Sequence, residues 1–285
     1  MVRNNEREGS ANRVAGFITK QLNKTPAVVA DITQNGLPVT AAILGTGWGG
    51  VLSLEVLWEI PLALLPGFES LGFLEGHDRT LKYAKLNGKS IWVLPGRIHI
   101  NEAPDNPSIF KMVRLQTELL MQLGVRNLIL TNAAGSLSCD IKVGDIVVAD
   151  GYVTLFAPKM PLWAGEFCSP EDTLDKDLRQ LALKAAEGLI DAHQGGYAMV
   201  QGPFFEGRKY DKAILRMVGA STVGMSTVPE SCIASLYKDE GVKVLALSFI
   251  TNTDSEDHSH EENVKRAKAS SVKLGQLIER IVAKI

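Results

Sequence analysis

Apolar residues in this chain fall into short unbroken runs, separated by glycine, proline and small polar residues, with amphipathic stretches between them. Asn127–Thr131 (NLILT) is a Leu- and Ile-rich run of the kind buried on both faces of a sheet. It stops at Asn132-Ala-Ala-Gly135, where backbone N–H groups can approach a ligand because little side chain covers them. A tight turn packed with small residues is the equal alternative. Lys142-Val-Gly-Asp145 reads as a turn and Ile146–Ala149 as the next strand. The pattern predicts further strands over Val39–Leu44, Tyr197–Gln201, Ser221–Gly224 and Val242–Ile250, with Tyr152–Phe156 either a strand or the continuation of the one before it. Thr80–Ala84 and Ser90–Leu94 form a hairpin across Asn87-Gly88. Helical periodicity covers Val14–Leu22, Leu174–Ile190, Gly207–Val218, Val228–Glu240 and Glu261–Ile285. Ser108–Leu123 is another helix, entered after Asn106-Pro107 and closed by Gly124. Residues 1–12 read as a flexible polar lead, and Ala157–Thr173 as a proline-broken loop carrying Trp163 and Phe167.

Composition narrows this picture. The chain has 285 residues, of which 45% are hydrophobic, and no linker-like shift divides it, so one domain spanning 1–285 is expected. A net charge of −2, with no basic patch interleaved with aromatics, argues against nucleic acid as a partner. Cys139, Cys168 and Cys232 are scattered without metal-ligand spacing and read as reduced thiols. The N-terminus lacks the apolar core of a signal peptide, and no run approaches the roughly 18 apolar residues of a membrane span. A cytoplasmic protein that touches no membrane is expected.

Candidate chemistry gathers where strands end. Val39–Leu44 runs into Gly45-Thr-Gly-Trp-Gly-Gly50, a turn suited to an anion. The same letters fit the dinucleotide fingerprint G-x-G-x-x-G. That motif needs a helix, a second strand and an acid about twenty residues on. Only ten residues separate Gly50 from Pro61, so a phosphate loop is favoured. Arg97 and His99 are two apart and share a face of an extended segment, a pairing suited to an oxyanion. Taken alone they also read as a surface arginine and a capping histidine. Glu206 follows a strand, either facing a ligand or opening a helix. Ser226 either caps the next helix or faces a ligand, and Asn252 follows the longest apolar run. His258 and His260 lack a third ligand, and no nucleophile elbow appears. Parallel strands bring such ends to one edge. These residues therefore describe a site for an oxyanion beside a polar heterocycle and leave the reaction open.

The segments ILGTGWGG, LPGFESLGFLEGH, GRIH, TNAAGSL, VGDIV, GPFFE, VGMSTVPE, ITN and SHEENV occur in this order from about Ala41 to the C-terminus. Together they resemble the trimeric, low-molecular-mass purine nucleoside phosphorylase family. The resemblance implies an α/β fold with a twisted, mixed, partly barrel-like central sheet flanked by helices. It implies a pentosyltransferase that splits 6-oxopurine nucleosides with inorganic phosphate as co-substrate, without a cofactor or metal, as a homotrimer. By match to the family pattern, Thr46, Arg97, His99, the Ala133 N–H, Ser226 and His77 hold phosphate. Glu206, Asn252, Phe205, Ala134 and Gly135 surround the purine, and Met225, His260 and Asn101 the ribose. Asn252, Glu206 and His99 carry the catalytic roles. Related methylthioadenosine phosphorylases resemble this chain but have an aspartate where it has Asn252, so the amide points to a 6-oxo base. A methylthioadenosine phosphorylase-like enzyme and a non-catalytic nucleoside-binding relative are the alternatives. The chain departs from the pattern at Thr46 (usually serine), Trp48, Asn101 (usually tyrosine) and Phe204. It also lacks the usual arginine- and phenylalanine-bearing loop over 157–173, where Phe156, Trp163 or Phe167 are candidates to complete a neighbouring site.

Overall fold

The computed structural model describes residues 5–72, 78–103, 105–163, 165–202, 209–253 and 270–285. His77, Phe204, Phe205, Glu206, His258 and His260 lie outside the described residues, as does the first part of the helix expected from Glu261.

The chain opens with helices α1 (Asn5–Leu22) and α2 (Pro26–Asn35). Strands β1 (Thr40–Ile43), β2 (Glu55–Pro61), β3 (Thr80–Leu86) and β4 (Lys89–Leu94) follow, then α3 (Pro107–Gln122). The remainder alternates: β5 (Asn127–Ser136), β6 (Ile146–Val153), α4 (Lys176–Ala186), β7 (Ala192–Met199), α5 (Asp211–Met217), β8 (Ala220–Gly224), α6 (Val228–Ser235), β9 (Lys243–Asn252) and α7 (Ser271–Val282).

The strands form one nine-stranded sheet in the order β2-β3-β4-β1-β5-β8-β7-β6-β9, and β9 also pairs with β5. That last pairing closes β5, β8, β7, β6 and β9 on themselves, which is the partly barrel-like sheet expected. The sheet is mixed. β4, β1, β5 and β9 are parallel neighbours, whereas β6, β7 and β8 run against β5 and β9.

Alternation along the central strands explains their apolar runs. In β9, Val244, Ala246 and Ile250 face one helical layer and Leu245, Leu247 and Phe249 the other. The first layer is built on Ala11, Val14, Ile18 and Leu22 of α1, with α3 and α6. The second rests on α4 and α7, where Leu274, Leu277, Ile278 and Ile281 form a fully buried stripe. Burying each such side chain contributes about 2 kcal/mol.

Four sequence readings are corrected. The lead expected over residues 1–12 is helical from Asn5, because Ala11 extends the buried stripe of α1 N-terminally. No element was expected between Gly50 and Pro61, but β2 lies there as an edge strand bulged between Val56 and Trp58, which breaks its alternation. β5 does not stop at Thr131. It runs through Ser136 because β9 continues beside it, Ala133 opposite Phe249 and Gly135 opposite Asn252. The helix expected from Val228 to Glu240 is α6 followed by a separate 3-10 turn, Lys238–Glu240.

Asp31 fastens α2 to the sheet. Its carboxylate accepts hydrogen bonds from Tyr83 (2.7 Å), Ser90 and Asn35 (2.8 Å) and pairs with Lys85 at 3.1 Å. Burial pushes this carboxyl up, but the bonds from Ser90, Tyr83, Asn35 and Lys85 outweigh it and hold it at about 2, against an ordinary 3.8. The depressed value gives stability that is complete above pH 4 and lost as pH falls towards 2. Asp31→Asn is expected to cost about 2 kcal/mol in urea unfolding at pH 7. The gap to the parent chain closes below pH 4. A pH-independent gap would show that the carboxylate charge is not what matters.

Candidate active site

The site is organised along β5. Its neighbour β1 pairs with it only as far as Ile43 opposite Leu130, and β8 pairs only at Gly135 and Ser136. Among the described residues, Thr131–Ala134 therefore have a strand, β9, on one side only. Ala133 is the one residue between Leu128 and Ser136 that is not buried.

The Gly45 turn fills part of this gap. The Gly45 N–H donates to Thr131 Oγ1 at 3.0 Å, and the Trp48 indole N–H donates to the Asn132 carbonyl at 3.0 Å. A side chain at Gly45 would strike the Thr131 carbonyl and lie 3.2 Å from the Arg97 guanidinium. Gly47 holds a φ of 82°, which only glycine adopts without strain. Thr46 is thus presented half-buried at the rim. Trp48, a departure from the family pattern, is the buried clasp that pins the turn. The dinucleotide reading is not met, because the next element after Gly50 is the antiparallel edge strand β2 and not a helix.

Arg97 sits beneath the gap, fully buried. One Nη donates to Glu230 Oε1 at 3.0 Å and to Thr227 Oγ1 at 3.4 Å. The other donates to the Thr131 and Ile43 carbonyls. The Arg97 and Glu230 side chains are 1% and 2% exposed. Such a pair is costly to break, since removing one partner leaves a buried charge. Ile98 between Arg97 and His99 is held extended by Gln116 of α3, whose amide accepts its N–H (3.0 Å) and donates to its carbonyl (3.2 Å). His99 caps the short 3-10 turn Ile100–Glu102. The Glu102 backbone N–H donates to the His99 carbonyl at 3.2 Å and meets the His99 side chain as the capping-box partner, while the His99 backbone N–H donates to Glu102 Oε1 at 2.6 Å. A ring nitrogen that accepts carries no proton, so in a neutral ring the proton sits on the other nitrogen. Asn101 follows on that turn, and neither atom of its buried amide meets a partner among the described residues.

From the far side, β8 delivers Met225-Ser226-Thr227. Thr227 has φ 75° and ψ −47°, and the Val228 N–H donates back to the Ser226 carbonyl at 2.8 Å. This is a strained three-residue turn at a β-branched residue. It is held by Asn132 Nδ2, which donates to Thr227 Oγ1 at 2.8 Å, and by Arg97. The residue at the helix cap is Thr227, so the capping alternative for Ser226 is not realised. The Ser226 N–H donates to the buried Tyr197 phenol at 3.3 Å. Burial pushes that phenol up, so it stays protonated. Met225 is half-exposed, and its thioether occupies the space over Gly202.

Asn252 ends β9 opposite Gly135. Its Oδ1 lies 3.1 Å from Thr251 Oγ1, whose single proton is shared with the Ala134 carbonyl at 3.4 Å, and its Nδ2 is turned towards Gly135, where a Cβ would lie 2.9 Å away. The amide nitrogen is the group left to donate.

The structure therefore brings Thr46, Arg97, Ala133, Ser226, Ala134, Gly135 and Asn252 to one stretch of β5, with His99, Asn101 and Met225 on the segments that flank it. His77, Phe205, Glu206 and His260 are outside the described residues. Glu230, Thr227, Gln116 and Tyr197 carry the site from behind and were not singled out by sequence, whereas Asn132 was named only as the start of a strand end. Glu230 and Thr227 lie within the quoted VGMSTVPE segment, but Tyr197 has no local signal.

The loop over 157–173 is strapped to α3. Glu166 receives both arms of Arg114 (2.6 and 2.9 Å), and the guanidinium lies 5.5 Å from the Trp163 ring. Trp163 is thus an anchor, whereas Phe156 and Phe167 are exposed. Among the described residues no group of His, Cys, Asp or Glu is placed to hold a metal ion, and no helix is long and apolar enough to cross a membrane.

Comparison with known proteins places this arrangement. Residues 41–283 match the family model described as the phosphorylase superfamily. The chain is 32% identical over 267 residues to a purine nucleoside phosphorylase of Rattus norvegicus, covering 87% of this chain and 89% of that one. It is 31% identical over 286 residues to purine nucleoside phosphorylase 1 of Bacillus subtilis, covering 95% and 97%. Isoform 2 of purine nucleoside phosphorylase from Schistosoma mansoni, solved with cytosine and ribose-1-phosphate, superposes with a TM-score of 0.77 at 27% identity, covering 97% and 96%. The chain belongs to the phosphorylase superfamily, within its purine nucleoside phosphorylase family.

Proposed function

We propose that the chain phosphorolyses 6-oxopurine nucleosides, inosine and guanosine and their deoxy forms, as a purine nucleoside phosphorylase. A phosphate oxygen bonds to C1′ while the bond from C1′ to N9 breaks, giving ribose 1-phosphate and the free base. The observation that carries this reading is the order of groups along β5. Gly45, Arg97 and Thr227 meet it at Thr131 and Asn132, and Asn252 meets it at Gly135. At about 3.3 Å per residue, Ala133, whose N–H is assigned to phosphate, and Gly135 beside the base lie about 7 Å apart. That span suits an anion at one end and a base at the other.

On this reading Thr46, Arg97, His99, the Ala133 N–H, Ser226 and His77 hold phosphate, which in turn stabilises the ribosyl cation as the bond to the base loosens. Losing one such preorganised donor typically costs about 100-fold in rate or more. Glu206 accepts from the N1 edge of the purine. Asn252 donates from Nδ2 to N7 or O6, where leaving-group charge develops. Phe205, Ala134 and Gly135 line the base, and Met225, His260 and Asn101 the ribose. The roles of His77, Phe205, Glu206 and His260 rest on the family resemblance alone. The reaction consumes phosphate as substrate and needs no resident cofactor or metal. The resemblance supports a homotrimer, as does the exposure of Leu155 and Phe167 beside the strap. Three free cysteines suit a cytoplasmic setting. The orientation of the Asn252 amide favours this reading over a methylthioadenosine phosphorylase-like enzyme. The preserved anion-side cradle favours it over a silent binding protein.

Hypoxanthine release from inosine is expected to depend on added phosphate, read by a coupled oxidation assay. Failure to turn over inosine or guanosine with phosphate would refute the proposal. Asn252→Asp is expected to lower kcat/KM for inosine about 10- to 100-fold, as an acceptor then faces the carbonyl, and to admit adenosine. Unchanged inosine kinetics in this variant would remove Asn252 from its role.

A further inference from the structure

We infer that Arg79 is a positioning residue for His99, acting through Glu102 while tying down the backbone at Gly72. The inference rests on the reading of His99 as a phosphate donor.

Arg79 immediately precedes β3 and is buried, and its carbonyl accepts the Leu62 N–H at 2.8 Å, so its backbone is part of the sheet edge. Both arms of its guanidinium are used. Nη1 donates to the Gly72 carbonyl at 2.9 Å and Nη2 to Glu102 Oε1 at 2.6 Å. The same Oε1 accepts the His99 backbone N–H. Glu102 in turn gives its own N–H to the His99 carbonyl at 3.2 Å and, as the capping-box partner, to the His99 ring. The 3-10 turn is therefore closed twice around His99, and its carboxylate is held from outside by a cation that touches neither His99 nor the cradle on β5. Without Arg79, a carboxylate that is partly open to water is free to leave His99. The ring then loses the fixed orientation and the single tautomer that aim its N–H donor. A lysine keeps the charge beside Glu102 but lacks the planar fork that also reaches Gly72.

The test uses the full-length enzyme, with Arg79→Met and Arg79→Lys compared by steady-state kinetics in phosphate and in nucleoside. Ring-15N labelling of the five histidines reports the His99 tautomer, with His99→Gln identifying its signal. Arg79→Met is expected to raise KM for phosphate about 10- to 100-fold. KM for inosine should stay within about twofold, and the His99 signal should move from one tautomer to a mixture. Arg79→Lys should fall between the two. A purely stabilising role for Arg79 predicts a lower Tm with both KM values and the His99 signal unchanged, and that result overturns the inference. Loss of the single tautomer without any change in phosphate KM supports the positioning chain and instead refutes the phosphate role of His99. If the methionine variant does not fold, Arg79→Lys decides: a parent-like phosphate KM and a parent-like His99 signal overturn the inference.

Discussion

The structure depends on an interruption in strand pairing. β5 is flanked by β9 along its length, but its other side is covered by β1 only to Leu130 and by β8 only from Gly135. Backbone polar groups left in such a gap must find partners, because an unmade hydrogen bond in a buried place is costly. Here they are met by side chains and turns, not by another strand. Arg97 caps the Thr131 carbonyl and Trp48 the Asn132 carbonyl, and the Gly45 N–H takes the Thr131 hydroxyl. The four residues of the gap are thereby built into a cradle without closing the strand edge at Ala133. Under the proposed function an anionic substrate gains from this, since donors fixed by the fold need no reorganisation when charge develops.

The gap also explains why so much polar and charged chemistry is buried behind the site. Arg97 brings a full positive charge into the core, and Glu230 balances it from α6. The strained turn at Thr227 is stabilised on one side by Asn132 and on the other by the helix that follows. Strain of this kind costs about 1–3 kcal/mol and persists only where surrounding contacts over-determine it. Its consequence is positional, in that Ser226 is turned away from the helix it would otherwise cap. Asn252 shows the same logic at the other end. A glycine opposite it and a threonine beside it decide which way its amide turns.

Several features were legible because they are local. Apolar runs, the Asn87-Gly88 turn, the Asn106-Pro107 helix start and the stop at Gly124 depend on neighbours within a few residues, and each appears in the structure near the expected place. The edge strand β2 was hidden because a bulge disrupts its alternation. The continuation of β5 was hidden because alanine and glycine carry weak strand preference, and only β9 alongside makes them strand.

The sequence by itself determined the family, the α/β class and the residue types gathered at strand ends, since motif order and short-range periodicity are properties of the chain. Tertiary structure alone decided what those residues touch. Gly45 meets Thr131 across 86 positions and Arg97 meets Glu230 across 133, and no local preference encodes pairings at such separations. It also turned Trp48 from an anomaly into the pin of the Gly45 turn and Trp163 into a strap anchor. Each assignment follows from which backbone carbonyl or guanidinium the fold happens to carry past the indole, a matter of packing in three dimensions.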